Sequence, residues 1–552
     1  MNSHFFSKLC GSLLLCGSLW ATTLMAKQVN LSGLDDVAVQ DHGRKKPFYV
    51  FAVEHLRSIS GKESWKDANG ETWPAENVVV DVWLRPEIWE DRPLVLVDNV
   101  VLKEELKLPK EQKYFSYRAL TANSQLDSVL REVARLQVLK EKLSAAQEGA
   151  RQLSTRLELF KDLANGTAFN FVPDPHEAEG KWLPLTLKLP HYSEQQVASL
   201  LASFQQFLKN YDANDEAGVA GSSLAFKQQL RSLAPSLYPS EDILKLENFY
   251  TKLDPFSWAW KAYLVSAIVL MLTTQLWRQA GYRFGVALAL AGFAFQCAGF
   301  VMRVVISDRA PVTNMYETVI WLGFGAMLFA LIFELVYRSR YFLLGATPVA
   351  FVSLLLAETQ NQILDSSIHP LVPVLRSNFW LSTHVLTITS SYAAFALALG
   401  IGHIVLGKML FKCPVPPALY QYLYRALQVG VLLIGTGTIL GGVWANYSWG
   451  RFWDWDPKET WALITFLCYL VILHGRIAGW WGGVGLAAGS VICFLSVLMA
   501  WYGVNFVLGT GLHSYGFGTG GFIYVLGFVM LELIFVGWSL ASYLRGQSAR
   551  QA

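Results

Sequence analysis

A stretch of thirteen residues, WGRFWDWDPKETW from Trp449 to Trp461, combines four tryptophans with three acids, two bases and a proline. Tryptophans at a membrane–water interface normally spread over all helix ends, so this local concentration needs another reason. Indole rings with a polar edge provide a surface for a flat, largely apolar ligand. The candidate contact residues are five indoles: Trp444, Trp449, Trp453, Trp455 and Trp461.

The second half of this stretch has the pattern of a helix start. Asp456 is suited to the N-cap, Pro457 to the first helical position and Glu459 to the first turn. Helix initiation therefore explains both acids, whose charges the helix dipole stabilises. A chemical role stays open, since Asp454, Asp456, Lys458 and Glu459 either fix the loop or aid proton delivery. Asp456 and Glu459 are kept as candidate catalytic residues.

Of two further candidates, His384 lies near the start of the fifth predicted span, and His513 lies in the loop between the eighth and ninth. Under the topology given below, both lie at the same depth and on the same face as the tryptophan-rich stretch. Imidazole is a common axial ligand of haem iron. The pair predicts a bis-histidine site for a planar iron macrocycle, and two ordinary interfacial histidines are the alternative.

Two further histidines lie deeper in apolar segments. His474 is fourteen residues beyond Thr460, about 21 Å along a helix that rises 1.5 Å per residue. An ionisable group within a membrane span is a functional candidate by default. His403 is similarly deep, but a snorkelling or capping role is favoured for it.

The composition predicts a membrane protein with a soluble part. Hydrophobic residues make up 53% of the 552 residues, charged residues make up 16%, and the mean hydropathy is +0.32. The predicted fold class is a polytopic α-helical membrane protein with an N-terminal, mainly α, exported domain. Nine segments from residue 258 onward are long enough to span a bilayer. They are 258–277, 284–302, 316–336, 341–358, 380–407, 426–446, 460–478, 483–506 and 521–543.

The orientation follows from the charges of the loops. If residues 27–257 face the exterior, the inner loops and C-terminus hold ten Lys and Arg residues, and the outer loops hold five. Basic residues concentrate on the cytoplasmic side of membrane proteins. The sequence therefore predicts that the tryptophan-rich loop faces the exterior, and that residues 546–552 form a cytoplasmic tail after a membrane domain at 258–545.

The first 26 residues have the features of an export signal. A basic start ends at Lys8, an apolar run follows, and a cut after Ala26 is predicted. An uncleaved anchor and lipoprotein processing at Cys16 are the alternatives. Residues 27–257 contain no cysteine, so this domain has no disulfide framework. The chain has no C-x-x-C pair and no basic stripe, which excludes a thiol relay and a nucleic-acid partner.

These residues carry a family resemblance. WGRFWDWDPKETWALITFLCYLVILHGR resembles the tryptophan-rich WWD signature of haem-handling proteins in cytochrome c maturation. The DPKETW and LHGR elements resemble the CcsA/ResC subfamily of the two-component (System II) cytochrome c synthetase. HPLVPVLRSNFWLSTHV and GLHSYG match the segments that hold the two outer histidines of that family. The resemblance covers residues 258–545.

The resemblance implies a holocytochrome c synthase of the haem-lyase type in the bacterial inner membrane, with the WWD loop on the periplasmic side. It implies that His384 and His513 bind haem iron, that the indole loop holds the haem edge, and that His474 binds haem within the membrane. Haem b is the implied substrate and bound ligand. The implied partners are a CcsB/ResB-like membrane subunit, apocytochrome c with a C-x-x-C-H motif, and a thiol-reducing protein.

Three other interpretations stay open at this point. The chain could be a haem transporter or chaperone that supplies another lyase. A quinone-linked membrane subunit would use His403 and His474 as its histidine pair. The third interpretation is a receptor whose aromatic loop is a membrane anchor, but it does not explain why His384 and His513 lie at the same depth.

Overall fold

The computed structural model describes residues 28–67, 69–139, 141, 143–177, 180–185, 188–273, 279–360, 363–371, 377–509 and 520–551. The predicted export signal, residues 1–26, and His513 lie outside these residues. The chain divides into two compact units, one mainly of residues up to Ser240 and one of Glu241–Ala552 with His42–Arg44. The predicted change of character at residue 257 therefore lies inside the second unit.

The N-terminal unit is mainly helical with three small two-stranded sheets, β1-β2, β3-β4 and β5-β6. Its strands are β1 (Ala38–Asp41), β2 (Arg44–Pro47), β3 (Ser64–Lys66), β4 (Thr72–Pro74), β5 (Pro93–Leu96) and β6 (Tyr114–Ser116). Its helices are α1 (Phe48–Ser60), α2 (Ala75–Leu84), α3 (Pro86–Trp89), α4 (Val100–Glu105), α5 (Tyr117–Thr121), α6 (Ser124–Val138), α7 (Ala145–Ala164), α8 (Glu194–Asp212) and α9 (Glu216–Leu233).

One stretch of this unit differs from what its sequence pattern predicts, and a local capping signal explains the difference. The leucine periodicity from Asn123 to Asp162 predicts one long helix, but the structure has α6 and α7 instead. Ser144 begins α7 with a capping box, in which its hydroxyl accepts from the Gln147 amide and Gln147 bonds back to the Ser144 amide. A cap of this kind restarts a helix even inside a continuous apolar pattern.

The second unit is built from long apolar helices. They are α10 (Glu241–Leu253), α11 (Pro255–Leu272), α12 (Ala280–Ser307), α13 (Met315–Tyr337), α14 (Tyr341–Thr359), the short α15 (Asn378–Trp380), α16 (Leu386–Leu410), α17 (Pro417–Trp449), α18 (Pro457–Ile477), α19 (Gly483–Leu498) and α20 (Phe522–Gln551). Two π-helical segments, Leu381–Val385 and Met499–Leu508, precede α16 and follow α19.

Within the described residues, nine helical stretches are long and apolar enough to cross a membrane. This confirms the predicted fold class, a polytopic helical membrane protein with a mainly helical N-terminal region. The first stretch, Glu241–Leu272, begins ahead of the predicted start and includes both α10 and α11.

Helix α16 is the most buried of these spans and packs against four of its neighbours, α13, α14, α17 and α19. Small residues allow the close packing that replaces hydrophobic driving force within a bilayer. A Cβ on Gly400 would lie 2.2 Å from the Gly345 carbonyl oxygen, so α14 and α16 meet there through backbone alone. Phe395 of α16 stacks on Tyr469 of α18 with ring centroids 3.6 Å apart. This packing fixes α16, the helix that directly follows the π-helical segment containing His384.

Candidate functional site

A cleft in the second unit collects residues from five parts of the chain. It contains about 1100 Å³ of empty space, a volume that includes its open mouth. Its lining residues are Val312, Thr313, Asn314, Met315, Thr318, His384, Val385, Ile388, Thr389, Tyr392, Thr438, Gly441, Gly442, Trp453, Lys458, Glu459, Ala462, Trp501 and Asn505. Three of the predicted site residues are therefore in one cleft: His384, Trp453 and Glu459.

A hydrogen bond from one ring nitrogen to the backbone fixes the orientation of His384 in the cleft. It lies in the π-helical segment before α16, a feature that is frequent at functional sites. Its Nδ1 is 2.9 Å from the Gly437 carbonyl oxygen. Because a carbonyl only accepts, Nδ1 must carry the proton, and Nε2 of the neutral ring is the nitrogen that can bind a metal.

The ring of His384 packs closely on α17. A Cβ on Gly441 would be 2.7 Å from Cε1 of the imidazole, so only glycine leaves room for the ring. Trp444, one turn further along α17, is buried, and its ring lies 5.6 Å from that of His384. The Trp449 ring is 5.5 Å from that of Trp444. Trp444 and Trp449 do not line the cleft. Trp444 packs next to the His384 ring, and Trp449 packs next to Trp444.

The indoles of the loop after α17 have different environments. Trp453 lines the cleft, and its buried Nε1 has no hydrogen-bond partner in the described part of the chain. Trp455 is 69% exposed and has a φ of 55°, a left-handed conformation that is uncommon for a bulky residue. Trp461 lies in the first turn of α18 and packs against the core. The buried, unpaired N–H of Trp453 is a donor that a ligand in the cleft can use.

The predicted helix cap at Asp456 is confirmed. Helix α18 begins at Pro457, Asp456 Oδ1 accepts from the Lys458 amide at 2.9 Å, and a full capping box is present. Glu459 Oε2 accepts from the amides of Asp454 and Asp456 at 2.9 and 3.3 Å. Its Oε1 accepts from Arg451 Nη1 at 3.0 Å. These contacts favour loop fixation over proton delivery for the two acids.

A chain of hydrogen bonds crosses the cleft wall from α18 to α13. Lys458 Nζ donates to Asn505 Oδ1 at 2.9 Å, and Asn505 Nδ2 donates to the Trp501 carbonyl at 3.0 Å. Trp501 Nε1 then donates to Thr318 Oγ1 at 2.9 Å. The sequence interpretation missed Asn505, Trp501 and Thr318. The signal for Asn505 was a polar amide within an apolar span.

The wall formed by residues 312–315 is supported by a buried ion pair. Arg303 Nε donates to Glu317 Oε1 at 2.8 Å, and both side chains are almost fully buried, at 0% and 1% exposure. Glu317 Oε2 accepts from the amide and hydroxyl of Thr313 at 2.7 and 2.6 Å. Its own amide donates to Asn314 Oδ1 at 2.8 Å. The pair therefore holds the cleft-lining residue Thr313 through the Glu317 carboxylate, and it too was missed from the sequence.

The candidate histidines His474 and His403 lie outside the cleft. His474 is exposed near the end of α18, with Nδ1 2.8 Å from the Leu470 carbonyl oxygen. His403 lies 2.9 Å from Glu532 Oε2 and stacks on Phe535 at 5.0 Å. His513 lies outside the described residues, so its predicted role as a second axial ligand stays a prediction.

The nine candidate spans found among the described residues define a polytopic membrane protein, and the cleft that contains His384 lies in its second unit. The family model described as Cytochrome C assembly protein matches residues 312–513. This range begins at the first cleft-lining residue, Val312, and includes every other one.

Individual relatives agree with this assignment. The CcsA cytochrome c biogenesis protein of Prochlorococcus marinus (strain NATL2A) is 34% identical over 317 residues, which are 49% of this chain and 97% of the relative. CcsA of Chlorella vulgaris is 33% identical over 259 residues, or 39% of this chain and 81% of the relative. The chain belongs to the CcsA-type family of cytochrome c biogenesis proteins.

A third relative extends the similarity toward the N-terminus. Protein NrfI of Wolinella succinogenes is 29% identical over 519 residues, which are 88% of this chain. Residues 258–552 make up little more than half of the chain, so this alignment also includes much of the N-terminal unit. The family resemblance seen in the sequence did not reach that far. The chain spans 54% of the length of NrfI.

Proposed function

We propose that this protein moves haem b to the outer face of the bacterial inner membrane and presents it for covalent attachment to apocytochrome c. The observation that carries the proposal is the His384 imidazole, whose hydrogen bond to Gly437 leaves Nε2 as the metal-binding nitrogen beside an aromatic cleft. Haem is planar and apolar with polar substituents, which matches indole and aliphatic walls with a few polar groups.

The reaction is the addition of each cysteine thiol of a C-x-x-C-H motif across a haem vinyl group. A carbon–sulfur bond forms at one vinyl carbon, the thiol proton ends on the other, and no net oxidation occurs. Such an addition depends mainly on proximity and orientation. The protein therefore has to hold the iron, the ring plane and the vinyl edge, while the substrate supplies the thiols and a thiol-reducing partner keeps them reduced.

The residues divide this task. His384 with His513 binds the iron at the outer site until the histidine of the apocytochrome replaces one of them. Trp453 and Trp455 contact the ring, Trp444 and Trp449 back the imidazole, and the Asp456 and Glu459 cap holds the loop. Trp461 anchors the loop to α18. In this proposal Asp456 and Glu459 are positioning residues.

His474 serves as a haem ligand within the membrane during transport. Its exposure on α18 is compatible with a second ligand from another polypeptide. We assign that ligand to a CcsB/ResB-like membrane subunit. The tryptophan-rich loop and residues 27–257 face the periplasm, as the distribution of basic residues in the loops predicts.

The proposal is tested by purifying the full-length protein from membranes and measuring bound haem by its absorbance spectrum and by the pyridine haemochromogen assay. We expect stoichiometric haem b with a low-spin, six-coordinate spectrum. Protein that stays haem-free when haem is supplied in excess, although it is folded and monodisperse, would overturn the proposal.

Gly441→Ala tests the fit of His384 in the cleft. The new methyl group would overlap the imidazole and break its bond to Gly437, which is worth roughly 1 kcal/mol. We expect haem to bind roughly fivefold more weakly, with a shifted Soret band, as measured by titration of the purified protein. Gly407→Ala is the matched control, because a Cβ there meets nothing within 4 Å. Equal behaviour of the two variants would contradict the placement of His384.

Trp455→Gly tests whether the exposed indole acts in the reaction. Glycine adopts the left-handed conformation without strain, so thermal stability should be unchanged or raised by about 1 kcal/mol. Covalent cytochrome yield should nevertheless fall, because the indole that contacts the haem is lost. Trp480→Gly removes an indole that is similarly exposed, at 71%, outside the cleft. A full yield from Trp455→Gly would show that this indole has no part in presentation.

A further inference from the structure

Lys458 is a cation in an unusual position in the cleft. It lies in the first turn of α18, where the helix dipole disfavours a positive charge, and it lines the cleft beside both apolar and polar residues. Among the residues that the structure describes, no carboxylate forms an ion pair with its ammonium group. By contrast, Arg451 pairs with Asp454 and Glu459, and Arg303 pairs with Glu317.

The nearby acids are already occupied by other groups. The carboxylate of Asp456 caps α18 through the Lys458 backbone amide, not through its side chain. The carboxylate of Glu459 accepts from Arg451 and from two backbone amides. Neither acid is placed to neutralise the ammonium group by direct contact. Asp456 attracts the ammonium group electrostatically without a direct ion pair, so the N–H donors of Lys458 can still contact a ligand.

The position of the ammonium group is fixed by a neutral partner. Lys458 Nζ donates to Asn505 Oδ1 at 2.9 Å, and the Asn505 amide is oriented by its own bond to the Trp501 carbonyl. Trp501 is in turn bonded to Thr318. An ammonium group has three N–H donors, so two remain after the bond to Asn505. Within the described part of the chain, Lys458 is a fixed cation with two unused donors, which is suited to bind an anion.

We propose that Lys458 forms an anion subsite of the cleft that binds a carboxylate of the haem, one of its two propionate groups. This inference rests on the proposed function. The propionates and the vinyl groups lie toward opposite edges of the macrocycle. Anchoring a propionate at Lys458 therefore directs the vinyl edge away from the start of α18 and sets which face and edge reach the apocytochrome. Lys458 is in this sense a positioning and specificity residue.

The test uses the full-length protein in nanodiscs and two probes, haem and haem dimethyl ester, in which both propionates are esterified. We expect the wild-type protein to bind haem at least about tenfold more tightly than the diester, the size expected for a charge-assisted hydrogen bond. Lys458→Met should lose this discrimination by weakening haem binding while leaving diester binding unchanged. Lys458→Arg should retain it. Lys408→Met, at the end of α16 and outside the cleft, is the control.

The outcomes separate this inference from the proposed function. If Lys458→Met binds haem as tightly as wild type, or weakens both probes equally, Lys458 has a structural role and the inference is overturned, although haem binding by the cleft stands. If the effect of Lys458→Met changes with the anionic lipid content of the nanodiscs and not with esterification, the lysine binds a lipid phosphate, which also overturns it. If wild-type protein binds neither probe, the proposed function itself fails.

Discussion

Replacing His384 with glycine should lower the haem affinity of the full-length protein by at least about tenfold. Loss of a residue that only hydrogen-bonds a metal ligand already lowers metal affinity by about that factor, and His384 is proposed as the ligand itself. Exogenous imidazole should restore binding, because the cavity left by the side chain can accept it next to Gly437. The measurement is haem content and the Soret spectrum of the purified protein, with and without imidazole.

His369→Gly is the matched control for this experiment. His369 lies outside the spans and the cleft, and its Nε2 is 2.7 Å from Asp365 Oδ2. This variant should keep its haem and show no response to imidazole. Undiminished haem and an unchanged spectrum in His384→Gly would contradict the assignment of His384 as an axial ligand. Loss of haem without rescue, in protein that has also lost its fold, would indicate a structural role.

Removing one partner of the buried ion pair should have the largest effect on stability. Arg303→Met leaves the Glu317 carboxylate buried without its cation, which costs about 3–5 kcal/mol. Because the Glu317 carboxylate also holds Thr313 in the cleft wall, the variant should lose haem affinity along with stability. Thermal unfolding in detergent, followed by size-exclusion chromatography, measures the first effect, and haem titration measures the second.

Two further variants make this prediction specific. The double variant Arg303→Met, Glu317→Leu leaves no unpaired charge, so it should be more stable than Arg303→Met alone. Its haem affinity should stay low, since Thr313 no longer has its carboxylate partner. Arg425→Met, which removes an exposed arginine bonded to Gln428, should change neither property. Wild-type stability of Arg303→Met would contradict a supporting role for the pair.

The local parts of the fold were predictable from the sequence. Nine apolar segments identified the spans, because a bilayer requires long runs of apolar residues whatever their neighbours. The start of α18 was predictable because Asp456, Pro457 and Glu459 specify it among themselves. In the N-terminal unit, the run of valines within residues 77–86 fits either a short strand or a buried helix, so the sequence alone does not decide between them. The structure has helix α2 there.

The assembled parts of the site were not predictable in the same way. His384 could be singled out by type and depth, but its bond to Gly437 depends on how α16 and α17 pack. The wall at residues 312–315 and the chain from Lys458 through Asn505 to Trp501 join spans far apart in sequence. Such contacts follow from tertiary packing, which no local periodicity specifies.

The central claim, that this protein presents haem for covalent attachment, is tested most directly by reconstitution in a bacterial host without its own cytochrome c maturation system. The full-length chain is expressed with a C-x-x-C-H apocytochrome, with and without a CcsB/ResB-like subunit, and the products are separated under denaturing conditions and stained for covalent haem. We predict a haem-stained cytochrome when chain and subunit are both present, and its loss in His384→Gly. A chain that binds haem but yields no covalent cytochrome under these conditions would contradict the claim.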